Sequence, residues 1–477
     1  MNSRRSVRRV NLALRGSLAS LLVTWSAAHA VSLNPRGLGQ ALVFPYYTVN
    51  KGQDTLLSLG NASDTGKVVH VQFHEGMNGR VVLDFNVFLS PHDGWTARVS
   101  ELGAADGAAL HTSDRSCVWP ALAAGEPFRA GAYNGGSLYP ADGGPQGPER
   151  TREGFVSVFA LGDTIPGSPL DDAIAHPAGG GAPACAAEAI GNLFRDDVVT
   201  ATDDLYGAAS IVNVGEGTFF AYNADALSDF TDTPLIIDSP VLLNYFKQAN
   251  SLDSGDFDTR AHVLDGQGHY VTLAYAESMH AVSAVFMAES LLNEYLVAPG
   301  LGAQTDWVVT FPTRELYVDP YYTSGGALPP FPNAAVAARA DVEALPSTHD
   351  QEAGQRPPAD DDAPDSVILP YQVNVLSFRS DTGGDTASPV FGSTLATWVD
   401  PYGAAGWALI DLATGDGGHA LPPAASGTVV HGLPATGFMV YNIINANAAP
   451  GRLANYGGAF AHRASVAHSQ TPAGAAQ

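Results

Sequence analysis

The composition is that of a folded and strongly acidic protein. The chain has 477 residues, of which 45% are hydrophobic and 15% charged, and 23 Lys+Arg stand against 48 Asp+Glu, a net charge of −25. This length predicts two or three domains, and the composition excludes a disordered chain, a coiled coil and a disulfide-stapled miniprotein. Because phosphate contacts need clustered cations, the charge argues against nucleic acid and anionic lipid as partners.

Residues 1–30 have the three parts of a secretory signal peptide. A basic region contains Arg4, Arg5, Arg8 and Arg9. A short apolar stretch at 18–25 follows, and small residues at Ala28 and Ala30 predict cleavage before Val31. The segment holds five of the 23 basic residues and no acid, so 18 would remain against 48 acids, a net charge of −30. We expect an exported protein, located outside the cell, at its surface or in the periplasm.

The export route and the membrane relation follow from the same segment and what comes after it. Residues 3–7 loosely resemble a twin-arginine signal, which leaves that route open beside general secretion, the one we favour. Beyond residue 30 the sequence has no uninterrupted apolar run of about 18 residues, so we expect no transmembrane segment.

The segment 31–160 is predicted to form a β-sandwich domain. Apolar residues alternate with polar ones at 68–73 and again at 81–89, the period of a strand with one buried face. Turns rich in Gly, Pro and Asn bound these strands, as in immunoglobulin-like sandwiches. Further strands are predicted at 41–49, 55–59, 95–99 and 154–160.

The register of the hairpin around Asn78-Gly79 can be derived from its two apolar faces. A two-residue turn would set Phe73 opposite Asp84 and mix the faces. A three-residue loop with a left-handed Gly79 instead sets Phe73 opposite Leu83. We therefore predict the three-residue loop.

Cys117 and Cys185, the two cysteines of the chain, are predicted to form a disulfide. They lie in Gly- and Pro-rich loops at 100–150 and 162–192. The bridge closes a loop of about 69 residues. By the chain-entropy relation, it should stabilise the folded protein by about 4 kcal/mol, less any strain.

A second β-rich domain is predicted at 161–332. The stretch 281–296 is ambiguous between strand and helix, and we predict a strand leading into a short helix near 291–296. The clearer strands of this domain are predicted at 208–214, 218–222, 270–275 and 307–311.

The last two segments differ sharply in composition. Residues 333–366 include Asp360–Asp362 and no aromatic residue, and we predict an acidic, disordered insertion or linker there. Residues 367–477 form a C-terminal β-rich segment whose strands are predicted at 373–378, 394–399, 406–412, 428–431, 437–443 and 455–460. The predicted fold is mainly β, with two or three immunoglobulin-like or other β-sandwich domains, long Gly/Pro-rich loops and little helix.

A weak metal-binding pattern follows from the hairpin register. Gln72 stands opposite Asp84, which places His70 and His74 on the diagonals of that carboxylate. Two imidazoles and one carboxylate suit a transition metal. The alternative, which we favour, is a solvated polar strand face.

Two oxygen-rich turns could hold calcium, our first candidate if a metal is present. They are Asp253, Asp256 and Asp258, and the segment Asp411–Asp416 with His419. Asp and Gly are also the ordinary residues of turns, and we favour that interpretation, with no cofactor.

The sequence lacks the familiar catalytic patterns. It contains no Gly-x-Ser-x-Gly elbow, no His-Glu-x-x-His helix, no phosphate-binding Gly-x-x-x-x-Gly-Lys loop and no dinucleotide fingerprint after a strand. We assign no catalytic or cofactor-binding residue and favour a protein that is not an enzyme.

Several phrases are together similar to a family of uncharacterised secreted proteins of Gram-negative bacteria. The phrases lie at 39–47, 54–61, 83–90, 151–155, 293–295, 305–313 and 455–458. The resemblance spans most of the chain after residue 30, and Thr305-Asp306-Trp307 is its most specific part. The resemblance implies a cell-envelope or extracellular location and no established activity.

The leading functional prediction is a secreted, non-enzymatic protein of the cell surface that serves structure, adhesion or ligand binding. The first alternative is a secreted hydrolase of polysaccharide or protein, which requires a cleft with paired carboxylates, one of raised pKa. The second alternative is a periplasmic protein that binds calcium or another metal. The expected partner is an unidentified cell-surface or extracellular ligand.

Overall fold

A computed structural model describes most of the chain. The described residues are 30–103, 107–136, 139–186, 190, 194–235, 252, 259–324, 326–355, 366–379, 387–445, 449, 452 and 454–471. We refer to 30–235 as the N-terminal half and to 259–471 as the C-terminal half. Within the described ranges, no helix combines the length and the apolarity needed to cross a bilayer.

Strands are the main regular structure of the N-terminal half. They are β1 (Ser32–Leu33), β2 (Ala41–Thr48), β3 (Asp54–Asn61), β4 (Lys67–Glu75), β5 (Val81–Leu89), β6 (Gly94–Glu101), β7 (Ala108–His111), β8 (Cys117–Trp119), β9 (Glu126–Pro127), β10 (Glu153–Thr164), β11 (Val198–Val199), β12 (Leu205–Asn213), β13 (Thr218–Asn223) and β14 (Asp225–Ser228). The helices are α1 (Gly131–Asn134) and α2 (Pro169–Ile174), with 3-10 turns at Asn50–Gly52, Pro148–Arg152 and Phe194–Asp197.

Two antiparallel sheets of the N-terminal half form a β-sandwich. In the described chain the larger sheet has the order β1-β14-β2-β10-β4-β5-β8, with β11 beside β10, and the smaller has the order β13-β12-β3-β6-β7-β9. Aromatic side chains fill the space between them, for example Phe85 of β5 against Trp95 of β6, with ring centroids 5.6 Å apart. The mainly β fold with sandwich packing is therefore confirmed; an immunoglobulin-like topology stays a prediction.

The β4–β5 hairpin has the predicted register. Phe73 pairs with Leu83 and Gln72 pairs with Asp84. Gly79 has φ +77°, the left-handed conformation that the three-residue loop requires.

Strands also dominate the C-terminal half. They are β15 (Arg260–Leu264), β16 (Tyr270–Ala274), β17 (Met287–Ala288), β18 (Ser290–Leu296), β19 (Ala303–Thr310), β20 (Glu343–Asp350), β21 (Val367–Ile368), β22 (Val373–Phe378), β23 (Ala396–Val399), β24 (Ala405–Asp411), β25 (Thr428–His431), β26 (Leu433–Pro434), β27 (Thr436–Ile443), β28 (Tyr456–Ala461), β29 (Arg463–Ser465) and β30 (Ala467–Gln470). The helices are α3 (Ser278–Phe286), α4 (Glu315–Val318) and α5 (Pro320–Thr323), with 3-10 turns at Pro299–Leu301 and Gly415–Gly417.

Two five-stranded sheets form the core of this half. Among the described residues their orders are β21-β20-β24-β18-β29 and β23-β22-β19-β27-β28. Tyr295 of the first sheet stacks on Phe378 of the second, with ring centroids 5.3 Å apart. The pairs β15-β16, β17-β26 and β25-β30 are separate small ribbons.

Two sequence-based predictions for the C-terminal half differ from the structure. The stretch 281–296 has the reverse order, with α3 first and β18 after it, because β18 is stabilised by pairing with the distant β24 and β29. Within the predicted disordered segment 333–366, Glu343–Asp350 is strand β20, which pairs with β24. Residues 356–365, which include Asp360–Asp362, lie outside the described ranges.

The Thr305-Asp306-Trp307 phrase binds the two C-terminal sheets together. The Thr305 hydroxyl donates to the carbonyl of Leu296 and accepts from its N–H, at 2.8 and 2.9 Å. The Trp307 indole N–H donates to the carbonyl of Glu294 at 3.0 Å. β29 covers only the first three residues of β18, so these side chains saturate the strand edge beyond it.

The tip of the β4–β5 hairpin joins the two halves. The backbone N–H groups of Val373 and Gln372 donate to the carbonyls of Gly76 and Met77, both at 2.8 Å. A Cβ atom on Gly76 would lie 2.4 Å from Leu395 Cδ1, so a larger residue there would displace this buried side chain.

Buried ion pairs surround that tip. Arg80 donates to both carboxylate oxygens of Asp319, from Nε at 2.6 Å and from Nη2 at 2.9 Å. Arg150 donates to both oxygens of Glu75, at 2.7 and 2.9 Å, and to Asp142 at 2.6 Å. All five side chains are at most 5% exposed. Such bidentate pairs hold a defined geometry, and breaking one leaves a buried charge.

The predicted disulfide between Cys117 and Cys185 is present, with a Cα–Cα distance of 5.4 Å. It ties β8 of the larger N-terminal sheet to the loop after α2. We expect the double variant Cys117→Ala/Cys185→Ala to lose about 2–4 kcal/mol of unfolding free energy, because the unfolded chain is no longer cross-linked. Chemical denaturation of both proteins measures this. A loss below 1 kcal/mol, within the scatter of ordinary surface substitutions, would contradict it.

Candidate functional site

A cavity of about 710 Å³ lies where the two halves meet. The N-terminal half contributes the turn after β1 and the β13–β14 segment. The C-terminal half contributes the β15–β16 ribbon, the end of α3, the start of β27 and parts of β28 and β29. Its lining includes Ala224, Asp225, Phe286, Thr436, Phe438 and Phe460. Volumes of 300–1,000 Å³ at a junction between domains are typical of sites for small organic ligands.

Asp225 is the single carboxylate of the described lining. It is the first residue of β14 and pairs with Val43 of β2, so the sheet fixes its backbone. Its Oδ2 accepts a hydrogen bond from the Thr436 hydroxyl. Burial raises the pKa of Asp225 to about 6, while that hydrogen bond opposes the rise.

No basic side chain neutralises Asp225 within the part of the chain that the structure describes. Arg36, an exposed residue of the turn after β1, also lines the cavity, but it makes no ion pair with this carboxylate. The cavity therefore presents an uncompensated acceptor, and a cation or a hydrogen-bond donor would be stabilised there.

Several aromatic rings line the cavity. Tyr222 stacks on Phe438, with centroids 4.5 Å apart and planes at 21°, and its hydroxyl donates to the carbonyl of Tyr46. His262 stacks on Tyr270 at 4.8 Å. These rings offer apolar contact and electron-rich faces.

The predicted metal residues on β4 and β5 lie elsewhere, and the polar strand face predicted to be solvated is buried. His70, Gln72 and His74 are 6%, 2% and 4% exposed. Both faces of the larger N-terminal sheet are covered, since Phe155 on the same side belongs to the core that extends into the C-terminal half.

Hydrogen bonds inside the protein occupy both ring nitrogens of His74 and one ring nitrogen of His70, whose Nε2 is buried without a partner. His74 Nδ1 donates to the Gly79 carbonyl at 2.8 Å, so its Nε2 accepts from the Ser157 hydroxyl at 2.7 Å. His70 Nδ1 lies 2.7 Å from Asn86 Oδ1. Burial lowers the pKa of each imidazole to about 4 and raises that of Asp84 to about 7. Both imidazoles are therefore neutral near pH 7, and the three residues do not belong to any group that the described structure places to hold a metal ion.

The calcium candidates have different outcomes. Asp253, Asp256 and Asp258 lie outside the described residues. In Asp411–Asp416, Asp411 accepts hydrogen bonds from the backbone of its own turn, and Asp416 accepts from the N–H of Glu343. No group of three or more His, Cys, Asp or Glu in the described ranges is placed to hold a metal ion.

Two buried acids, Glu315 and Asp319, lie next to the tip of the β4–β5 hairpin and are not part of the cavity lining. Burial raises the pKa of Glu315 well above its ordinary value. Its neighbour Asp319 is engaged by Arg80 and by Asn78, whose amide donates at 2.9 Å. Both oxygens of the Asp319 carboxylate accept hydrogen bonds from Arg80 of the other half. Asp319 therefore stabilises the junction between the halves.

Comparison of this chain with known protein families, proteins and structures identified no relative. No family model matches the sequence, and no match was found among curated proteins or solved structures. The cavity itself had no signal in the sequence, because Asp225 and Thr436 are 211 positions apart.

Proposed function

We propose that this is an exported, non-enzymatic binding protein whose junction cavity holds one small amphipathic molecule carrying a protonated amine. The observation that carries this proposal is Asp225, an uncompensated carboxylate in an aromatic cavity of about 710 Å³. A cationic nitrogen satisfies the carboxylate, and an apolar tail fills the remaining space.

The rings around Asp225 support an amine over a neutral donor. Tyr222 and Phe438 flank the same cavity, and a cation beside aromatic faces gains additional attraction. An anionic headgroup would face the Asp225 carboxylate and be repelled.

The described lining favours binding over turnover. It contains no Ser, Cys, Lys or Glu, and Asp225 stands without a second carboxylate for glycoside chemistry. The Thr436 hydroxyl in this lining already donates its hydrogen bond to Asp225.

Export is part of the same proposal. The signal-peptide pattern at 1–30 and the Cys117–Cys185 disulfide both suit an oxidising compartment outside the cytoplasm. Fractionation of the native host with protease shaving of intact cells tests it. Detection of the chain at the surface, in the medium or in the periplasm supports export, and recovery from the cytoplasm contradicts it.

Calorimetric titration with n-octylamine, 1-octanol and octanoate tests the ligand class. We expect octylamine to bind most tightly at pH 7.5, where Asp225 is ionised. Because the pKa of Asp225 is about 6, amine affinity should fall by roughly tenfold per pH unit below that value. Asp225→Asn should weaken octylamine binding and remove this pH dependence while leaving octanol binding nearly unchanged.

Two variants serve as controls for that titration. Ala464→Trp places a large ring in the cavity from an exposed position on β29 and should block every probe. Asp64→Asn removes an exposed carboxylate elsewhere and should change nothing. Failure of all three probes to bind, or octylamine binding that survives Ala464→Trp, would overturn the proposal.

A further inference from the structure

A second, open groove of about 830 Å³ lies on the C-terminal half, beside β18. It begins where β29 stops pairing with β18, after Leu292. Its walls come from β18, the end of β20, β24, β27 and β28. Phe460 lines both this groove and the junction cavity, but Asp225 belongs only to the cavity.

Two exposed aromatic rings are held in place at this groove. Trp407 is 37% exposed and stacks on His349, with centroids 4.0 Å apart and planes at 12°. Phe460 is 49% exposed and stacks on Tyr441 at 6.0 Å with planes at 10°. Each ring is fixed from one side by its partner while much of it stays accessible, so it can stack on a ligand without first being ordered.

The same groove carries both acceptors and donors. Glu294 pairs with Trp407 across the β18–β24 strands. The Oε1 atom of Glu294 lies 3.3 Å from Nη1 of Arg463. Asp350 and Gln351 line the groove at the end of β20. Carboxylates accept hydrogen bonds, while the guanidinium and the amide donate them.

This combination selects among ligand classes. A purely apolar ligand would remove water from the exposed Glu294–Arg463 ion pair without offering it a hydrogen bond, and a polyanion would meet the carboxylates of Glu294 and Asp350 and a strongly acidic protein. A sugar ring has a C–H face that packs on an aromatic ring, and its hydroxyls both donate and accept at the rim.

We propose that the groove beside β18 binds an uncharged glycan, with a sugar ring stacked on Trp407 and its hydroxyls hydrogen-bonded to Glu294 and Arg463. Phe460 receives a second sugar unit along the groove. Apart from the shared Phe460, the residues of this groove differ from those of the junction cavity, and the inference does not depend on the amine ligand proposed there.

A glycan array printed with neutral and acidic oligosaccharides, followed by titration of the best neutral binder, tests this site. We expect neutral glycans to bind, and Trp407→Ala to raise the Kd by roughly tenfold or more. Phe219→Ala, which removes a 60% exposed ring on the N-terminal half, is the matched control and should leave the Kd unchanged. Octylamine binding should be unchanged in Trp407→Ala.

Three results would overturn this inference. They are the absence of glycan binding by the unmodified protein, binding restricted to acidic glycans, and neutral-glycan binding that Trp407→Ala leaves intact. Circular dichroism of each variant verifies that a loss of binding is not a loss of folding.

Discussion

Replacing Arg150 with Met is expected to lower the free energy of unfolding by about 3–5 kcal/mol. Arg150 is 1% exposed and bonds to Glu75 and Asp142, which are 0% and 5% exposed. Burial alone would raise the pKa of Glu75, but Arg150 and the backbone N–H groups around it hold that pKa below its ordinary value. Without the guanidinium, two buried carboxylates lose their cation.

The pH dependence of this loss of stability follows from the direction in which the pKa of Glu75 is shifted. A lowered folded-state pKa means that Glu75 stabilises the native protein above its ordinary pKa and that this contribution disappears on acidification. In the Arg150→Met variant the unpaired carboxylates are costly when ionised and less so when protonated. The difference between the two proteins in urea denaturation should thus be largest near pH 7 and smaller near pH 4.

Arg339→Met is the matched control for Arg150→Met. Its ion pair with Asp341 is about half exposed on both sides, so we expect a change of at most about 1 kcal/mol. Equal losses in the two variants, or a difference that grows on acidification, would contradict the role given to Arg150.

Trp307→Ala is the second substitution with a large expected effect, about 3–5 kcal/mol. The ring is fully buried and packs on Phe378, with centroids 4.9 Å apart. Truncation leaves a large cavity between the C-terminal sheets and removes the donor to the Glu294 carbonyl at the edge of β18. Denaturant unfolding of the purified variant measures the loss.

Trp407→Ala supplies the comparison within the same half. Trp407 is 37% exposed, so its removal should cost far less stability than that of Trp307. If both tryptophans proved equally costly, or if Trp307→Ala cost less than 1 kcal/mol, Trp307 would not have the structural role described above.

Local periodicity was enough to predict much of the sheet structure. The hairpin register followed from the rule that apolar residues share one face, together with the need for a left-handed Gly79. The disulfide followed from a single pair of cysteines. These features depend on neighbours in sequence or on counting.

Other features depend on partners far away in the chain. Ser290–Leu296 is a strand because β24 and β29 pair with it, and α3 precedes it despite the apolar run at 281–286. The polar residues of β4 suggested a solvated face, but the larger N-terminal sheet is covered on both sides. His74 on that face forms a hydrogen bond with Ser157 inside the protein. Local pattern carries no information on such layers.

The candidate sites were harder still to predict. Asp225 is unremarkable in sequence, and its environment is created by rings from both halves. Trp407 and Glu294 become neighbours only through strand pairing across more than a hundred residues. Only the three-dimensional arrangement distinguishes these residues from other turn and strand residues.

A crystal structure of the protein with n-octylamine tests the central proposal most directly. We predict the ammonium nitrogen about 2.7–3.2 Å from the Asp225 carboxylate. Its alkyl chain should lie between Tyr222 and Phe286. Octylamine bound at another site, or absent from the junction cavity at saturating concentration, would contradict the proposed function.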